Sequence, residues 1–233
     1  MRKTLFAATA ALALAAFAAP ASAAVVYDLT LDGTTGSALG AGTYGTVSVT
    51  SSSTLLDFVV QLSPNFYFNK STSFQAFDLY VNGTVTTINV TDVNNLAVTT
   101  ATSGFTPEGP GSFSAPSVIN GGPKSPSFNY ALTCAAATCG NGGAGLIDEL
   151  SFNVVGTGLS IGSIDSSTFG VPVFFAADIV KNPGPNAITG NVGAPGPSGV
   201  PEPATWAMFI LGFGFVGTML RMARKQQGAS LAA

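Results

Sequence analysis

Histidine is missing from the 233 residues altogether, and with it the commonest general base and the commonest metal ligand. A Ser-His-Asp or Cys-His set cannot be assembled. A nucleophile would have to lean on Lys70, Lys124 or Lys181, and none of these stands in a motif that suggests it. Charge is scarce as well. Asp, Glu, Lys and Arg make up 8 % of the chain, against about 25 % in an average soluble protein, so solubility must rest on uncharged polar groups. Between Ala24 and Val200, ten acidic residues face only three basic ones, a formal net charge of −7. That leaves no basic patch for nucleic acid. Asp148-Glu149 is the only tight acidic pair, and neighbours on a strand point to opposite faces, so the two carboxylates do not converge on a sugar. No Asp-x-Asp-x-Asp-Gly run suggests calcium. The expectation is a chain with no catalytic residue, no cofactor and no metal.

Cysteine is nearly absent too. Cys134 and Cys139 are the only two, separated by Ala-Ala-Ala-Thr, a spacer that offers no further metal ligand. In a chain that folds after export, such a pair predicts a local disulfide closing a small loop.

What is present begins with residues 1–23. Arg2 and Lys3 precede an apolar, alanine-rich run from Leu5 to Ala19, then Pro20 and Ala21-Ser22-Ala23. A cationic start, a short apolar stretch and a small-x-small site spell a signal peptide, an N-terminal helix removed by signal peptidase after Ala23. The run is too short and too quickly ended by proline for a membrane anchor or a core helix.

The other end carries a second apolar run. Ala204 to Leu220 has no charge over 17 residues, and a helix at ~1.5 Å per residue makes that roughly 25 Å, enough for a thin bilayer. Trp206 stands at its start, and a basic stop cluster of Arg221, Arg224 and Lys225 follows. The aromatic belongs at the outer interface and the cations inside, which leaves the preceding domain outside. A single transmembrane helix is therefore expected here, followed by a polar tail at 226–233. Immediately before it, Pro201-Glu202-Pro203 holds Glu202 extended, because the residue before a proline is pushed out of the helical region. An extended, exposed peptide at a membrane surface is a natural grip for a processing enzyme.

Motif, apolar helix and basic cluster in that order, over 200–225, resemble the PEPxxWA form of the PEP-CTERM sorting segment of Gram-negative bacteria. The resemblance implies that exosortase, an integral-membrane processing enzyme, acts on the chain at Pro201, Glu202, Pro203 and Trp206. It further implies transient residence in the inner membrane, a final address at the cell surface or in the extracellular matrix, and association with exopolysaccharide. The same kind of tail takes its other name from ice-binding proteins. Thr84, Thr86 and Thr99 to Thr102 form no ladder at constant spacing, so the name does not carry that function here.

Between the two ends, residues 24–181 alternate apolar and polar side chains in short runs broken by Gly, Asn, Pro and Ser. That is the pattern of half-buried strands. Tyr27, Leu29 and Leu31 share one face; Leu56, Phe58, Val60 and Leu62 repeat it, as do Phe77, Leu79 and Val81. Asn82-Gly83 predicts a hairpin into Thr84–Val90. Leu150, Phe152 and Val154, then Val171, Val173, Phe175, Ala177 and Ile179, complete the set. The expected fold is all-β, an antiparallel β-sandwich or jelly roll. Gly104 to Pro126 reads as a long loop. Nine of the eighteen residues in 182–199 are Pro or Gly, which predicts an extended linker between domain and membrane. Asn65-Phe66-Tyr67-Phe68-Asn69 sets three rings between turn residues. Exposed, they would suit a carbohydrate-binding or other surface-ligand module; buried, they are core.

Overall fold

The computed structural model describes residues 24–34, 38–52, 54–69, 75–114, 126–135, 138–140, 146–167, 172–199 and 214. Residues 24–200 form one unit, and 1–23 with 201–233 form another. The second unit, with the expected signal helix and transmembrane helix, lies outside the described residues except for Gly214. Among the described residues no helix is long and apolar enough to cross a membrane.

The first unit is built from two seven-stranded antiparallel sheets. The strands of the first sheet are β1 (Val25–Leu29), β3 (Gly45–Ser51), β4 (Leu55–Leu62), β7 (Thr84–Val93), β8 (Leu96–Ala97), β13 (Glu149–Thr157) and β16 (Pro197–Gly199). They lie in the order β16-β1-β3-β4-β13-β7-β8. The second sheet contains β2 (Leu31–Asp32), β5 (Phe66–Phe68), β6 (Phe77–Leu79), β9 (Phe105–Glu108), β12 (Tyr130–Cys134), β14 (Phe175–Lys181) and β15 (Ile188–Ala194). Its order is β2-β15-β14-β6-β12-β9, with β5 also paired to β14. A separate two-stranded ribbon joins β10 (Phe113–Ser114) to β11 (Ser127–Phe128).

The period-two patterns place the core. In β4 the residues Leu56, Phe58, Val60 and Leu62 are buried while Asp57, Val59 and Gln61 are exposed, as a strand with one face in the core requires. Phe58 stacks on Phe152 of the neighbouring strand with ring centroids 4.7 Å apart, and Phe77 stacks on Phe175 at 5.8 Å. The two stacks meet edge-on across the layers, Phe58 to Phe175 at 6.1 Å and Phe77 to Phe152 at 5.8 Å. These are favoured ring geometries, and the four rings tie the two sheets together at the centre.

Several sequence expectations are corrected. The run from Tyr27 to Asp32 is not one strand: the chain leaves the first sheet after Leu29 and enters the second as β2, where Leu31 packs against a small cluster of Phe128, Val173 and Ala176. Asn82-Gly83 is a crossover and not a hairpin, since β6 pairs with β12 and β14 whereas β7 pairs with β13 and β8. Asn-Gly reports a backbone reversal; it does not say which sheet the next strand joins. The tight hairpin is instead at Asn94-Asn95, both at positive φ (52° and 60°), between Val93 and Leu96. Asparagine tolerates that region well enough for such a turn. The stretch from Gly104 is not simply loop, because Phe105–Glu108 forms the edge strand β9 on β12. Pro107 hid it, and an edge is where a strand accommodates proline.

The largest correction concerns 182–199. The expected linker is folded: β15 pairs with β14 over seven residues, Phe175↔Ala194 to Lys181↔Ile188, and β16 pairs with β1. Val192 and Ala194 are fully buried in the core. Proline and glycine cluster at Pro183-Gly184-Pro185 and Pro195-Gly196, where the chain turns, so their average over the segment hid a central strand. The folded domain therefore extends past residue 181 to Gly199.

Candidate functional site

β14 is buried on both faces. Phe175, Ala177 and Ile179 point to the main core, while Ala176 joins the outer cluster of Phe128 and Val173, against which Leu31, Tyr80 and Phe113 also pack. Charge is thereby drawn inside. Asp178 on β14 is 4 % exposed and Asp78 on β6 is 2 % exposed. Ala176 lies opposite Asp78 in the ladder, so Asp178, two residues on, is its diagonal neighbour on the same face. The Nδ2 of Asn69 donates to both carboxylate oxygens of Asp178, at 3.3 and 3.4 Å, and buried Asn191 stands opposite Asp178 on β15.

Asp78 Oδ1 is buried with no hydrogen-bond partner. Burial above all, and then the charges of Asp178 and Glu108, push its carboxyl up from 3.8 to about 8. It therefore holds a proton at neutral pH. Lys181 is the only Lys or Arg among the described residues, and its Nζ is engaged elsewhere, donating to the Leu39 carbonyl at 2.9 Å and lying over the Phe66 ring. A carboxyl this deep bears on the stability of the sheet, through the proton it holds when folded. No sequence pattern marks it, because Asp78 and Asp178 are a hundred residues apart and meet only through the β6–β14 pairing. Among the described residues no group of three or more Cys, Asp or Glu is placed to hold a metal ion.

A groove of about 360 Å³ runs between β7 and β9, lined by Thr86, Ile88, Thr100, Glu108 and Tyr130. The aromatic run singled out in the sequence is elsewhere. Phe68 is fully buried, Phe66 is half-buried with its edge on Tyr44, and Tyr67 is half-buried, so these rings form no open platform.

Cys134 and Cys139 are joined as a disulfide with Cα atoms 6.0 Å apart, a normal span, and both are buried. Closing so short a loop contributes about 2 kcal/mol. Denatured protein without reductant should titrate no free thiol, and the double change Cys134→Ser with Cys139→Ser should lower the urea-unfolding free energy by that amount. Two titratable thiols would overturn the pairing.

The signal-peptidase residues Ala21 and Ala23, the sorting residues Pro201, Glu202, Pro203 and Trp206, and the basic cluster Arg221, Arg224 and Lys225 all lie outside the described residues. What the structure does place is their approach. β1 begins at Val25, one residue after Ala24, and β16 ends at Gly199, two residues before Pro201. Val26 is the ladder partner of Gly199.

The described part is thus an antiparallel all-β domain whose last strand ends two residues before the Pro201-Glu202-Pro203 segment in the sequence. The tail is of a recognised kind: residues 199–225 match the model of the PEP-CTERM protein-sorting motif. The chain is thus a PEP-CTERM-containing protein, and the motif implies a protein targeted by exosortase, exported and sorted to the surface. No curated protein and no solved structure matches the chain.

Proposed function

We propose that the chain is a noncatalytic structural component of the cell surface or extracellular matrix of a Gram-negative bacterium, associated with exopolysaccharide. It leaves the cytoplasm by the signal peptide at 1–23, is held in the inner membrane by Ala204–Leu220, and is processed by exosortase at Pro201-Glu202-Pro203. The observation that carries this reading is the sorting-motif match at 199–225. The scarcity of acid-base side chains supports the noncatalytic part, since His is absent and, among the described residues, the one carboxyl with a strongly raised pKa is buried. Mass spectrometry of the surface material tests the sorting. The mature chain is expected to begin at Ala24 and to lack the segment after the motif; a chain intact through Ala233 would overturn it.

The groove between β7 and β9 supports a second reading, a module that binds a carbohydrate or another surface ligand. Its threonine hydroxyls and the Glu108 carboxylate offer polar contacts of the sort a sugar uses. A glycan pull-down with the processed protein separates the two: retention that Glu108→Ala abolishes favours the module, and no retention favours the structural role.

A further inference from the structure

The sorting motif follows the folded domain so closely that the two compete for the same stretch of chain. Gly199 belongs both to β16 and to the matched segment. Pro201 is two residues further, at most about 7 Å of extended chain. A processing enzyme that grips an extended peptide holds residues on both sides of the bond it cuts. While β16 is in the sheet, the residues just before the motif are committed to β1.

β16 is also the strand most easily given up. Among the described residues it is the edge of the first sheet, and β1 is the one strand it pairs with. Two residue pairs hold it, Val26↔Gly199 and Tyr27↔Pro197, with a register irregularity between them. Pro197 has no N–H to donate, and both Pro197 and Ser198 are exposed. One side-chain bond is added, from Ser198 Oγ to the Val26 carbonyl at 3.1 Å. β1 does not depend on it. β1 pairs with β3 over five residues, Val25↔Val49 to Leu29↔Gly45, and Tyr27 is anchored in the core against Phe174 and Phe175. Loss of β16 therefore leaves the sheet and the core intact, which is what a local opening of low cost requires.

We infer that β16 is a latch: paired to β1 it withholds the sorting motif from exosortase, and its release from the sheet edge delivers the motif for processing. This deepens the sorting reading and rests on it. It assigns a gate to the domain itself, so that the rate of processing is set by how often β16 leaves β1. The register adds a spatial consequence. Because Val26 pairs with Gly199 in an antiparallel ladder, the first strand of the domain begins and its last strand ends at the same end of one strand pair.

Two changes to the full-length protein test the latch in cells that carry exosortase, with the processed fraction followed by mass spectrometry after a pulse of synthesis. Eight Gly/Ser residues inserted between Gly199 and Val200 free the motif from the edge. If the open state is about a tenth of the population, the insertion should speed processing about tenfold. Val26→Cys combined with Gly199→Cys ties β16 to β1; the oxidised form should be processed at least about tenfold more slowly, and reductant should restore the rate. An unprocessed wild-type chain would overturn the sorting reading and the latch with it. A processed wild type, matched in rate by both the insertion and the oxidised double-cysteine variant, would overturn the latch alone.

Discussion

Phe175→Ala should destabilise the domain by about 3–5 kcal/mol, a fifth or more of the roughly 5–15 kcal/mol that stabilises a typical domain. Phe175 is fully buried and is the ring on which the layers converge. It stacks on Phe77 within its own sheet, meets Phe58 across the core, and takes the edge of Tyr27 at 4.9 Å. Its removal opens a cavity that neighbours on two sheets and three strands cannot jointly fill, because each is fixed by its own ladder. Urea unfolding followed by tyrosine fluorescence measures the loss, with Val59→Ala as the control. Val59 projects outward from β4 at 41 % exposure, where truncation should change stability by less than about 0.5 kcal/mol. Equal effects from the two variants would mean that the rings do not form the shared core.

That core is legible in the sequence. Leu56, Phe58, Val60 and Leu62 announce a one-faced strand through period alone, and so do Leu150, Phe152 and Val154; each of these seven side chains is buried. Alternation is a local property, and it survives because a strand that buries one face has no other way to place its apolar groups. Connectivity is not local in that sense. Asn82-Gly83 carries a strong hairpin signal, yet the chain there passes between sheets, with the Asn82 amide donating to the Ser163 carbonyl and its Nδ2 to Asp165. The partners that decide the path are eighty residues away.

Composition misleads where its average conceals its arrangement. In 182–199 the prolines and glycines suggest a spacer, but Ile188, Val192 and Ala194 lie on strand β15, where Gly190 serves a close approach. A Cβ at Gly190 would stand 2.1 Å from the Thr34 methyl, so the residue that weakens the strand signal is the one that lets the chain pass. The tail, by contrast, is legible from its motif, because the residues that identify it are contiguous in the sequence, whatever governs their release from the sheet edge.

Stability should fall as pH rises from about 4 to about 8, the reverse of the usual acid loss. The cause is Asp78, whose carboxyl is raised from 3.8 to about 8 by burial and then by the charges of Asp178 and Glu108. Between those values the folded chain holds a proton that the unfolded chain has released. The slope of unfolding free energy with pH follows the protons bound by the unfolded state minus those bound by the folded state, and here that difference is negative. The stabilisation is complete below the unfolded value and is lost as pH rises through the folded one. A gap this wide amounts to on the order of 5 kcal/mol across the window. Urea unfolding of the processed protein at pH 4.5, 6 and 8 should show midpoints declining in that order. Asp78→Asn keeps the shape and carries no charge, so it should flatten the decline and leave the variant the more stable of the two at pH 8. The groups facing Asp78 remain in the variant: Asp178, held by Asn69 on one side and opposite Asn191 on the other, and Glu108 across β12. A decline that persists unchanged in Asp78→Asn would remove Asp78 as its cause; a profile that is flat in the wild type would mean that water reaches Asp78 and that the outer cluster of Phe128, Val173 and Ala176 does not seal the sheet.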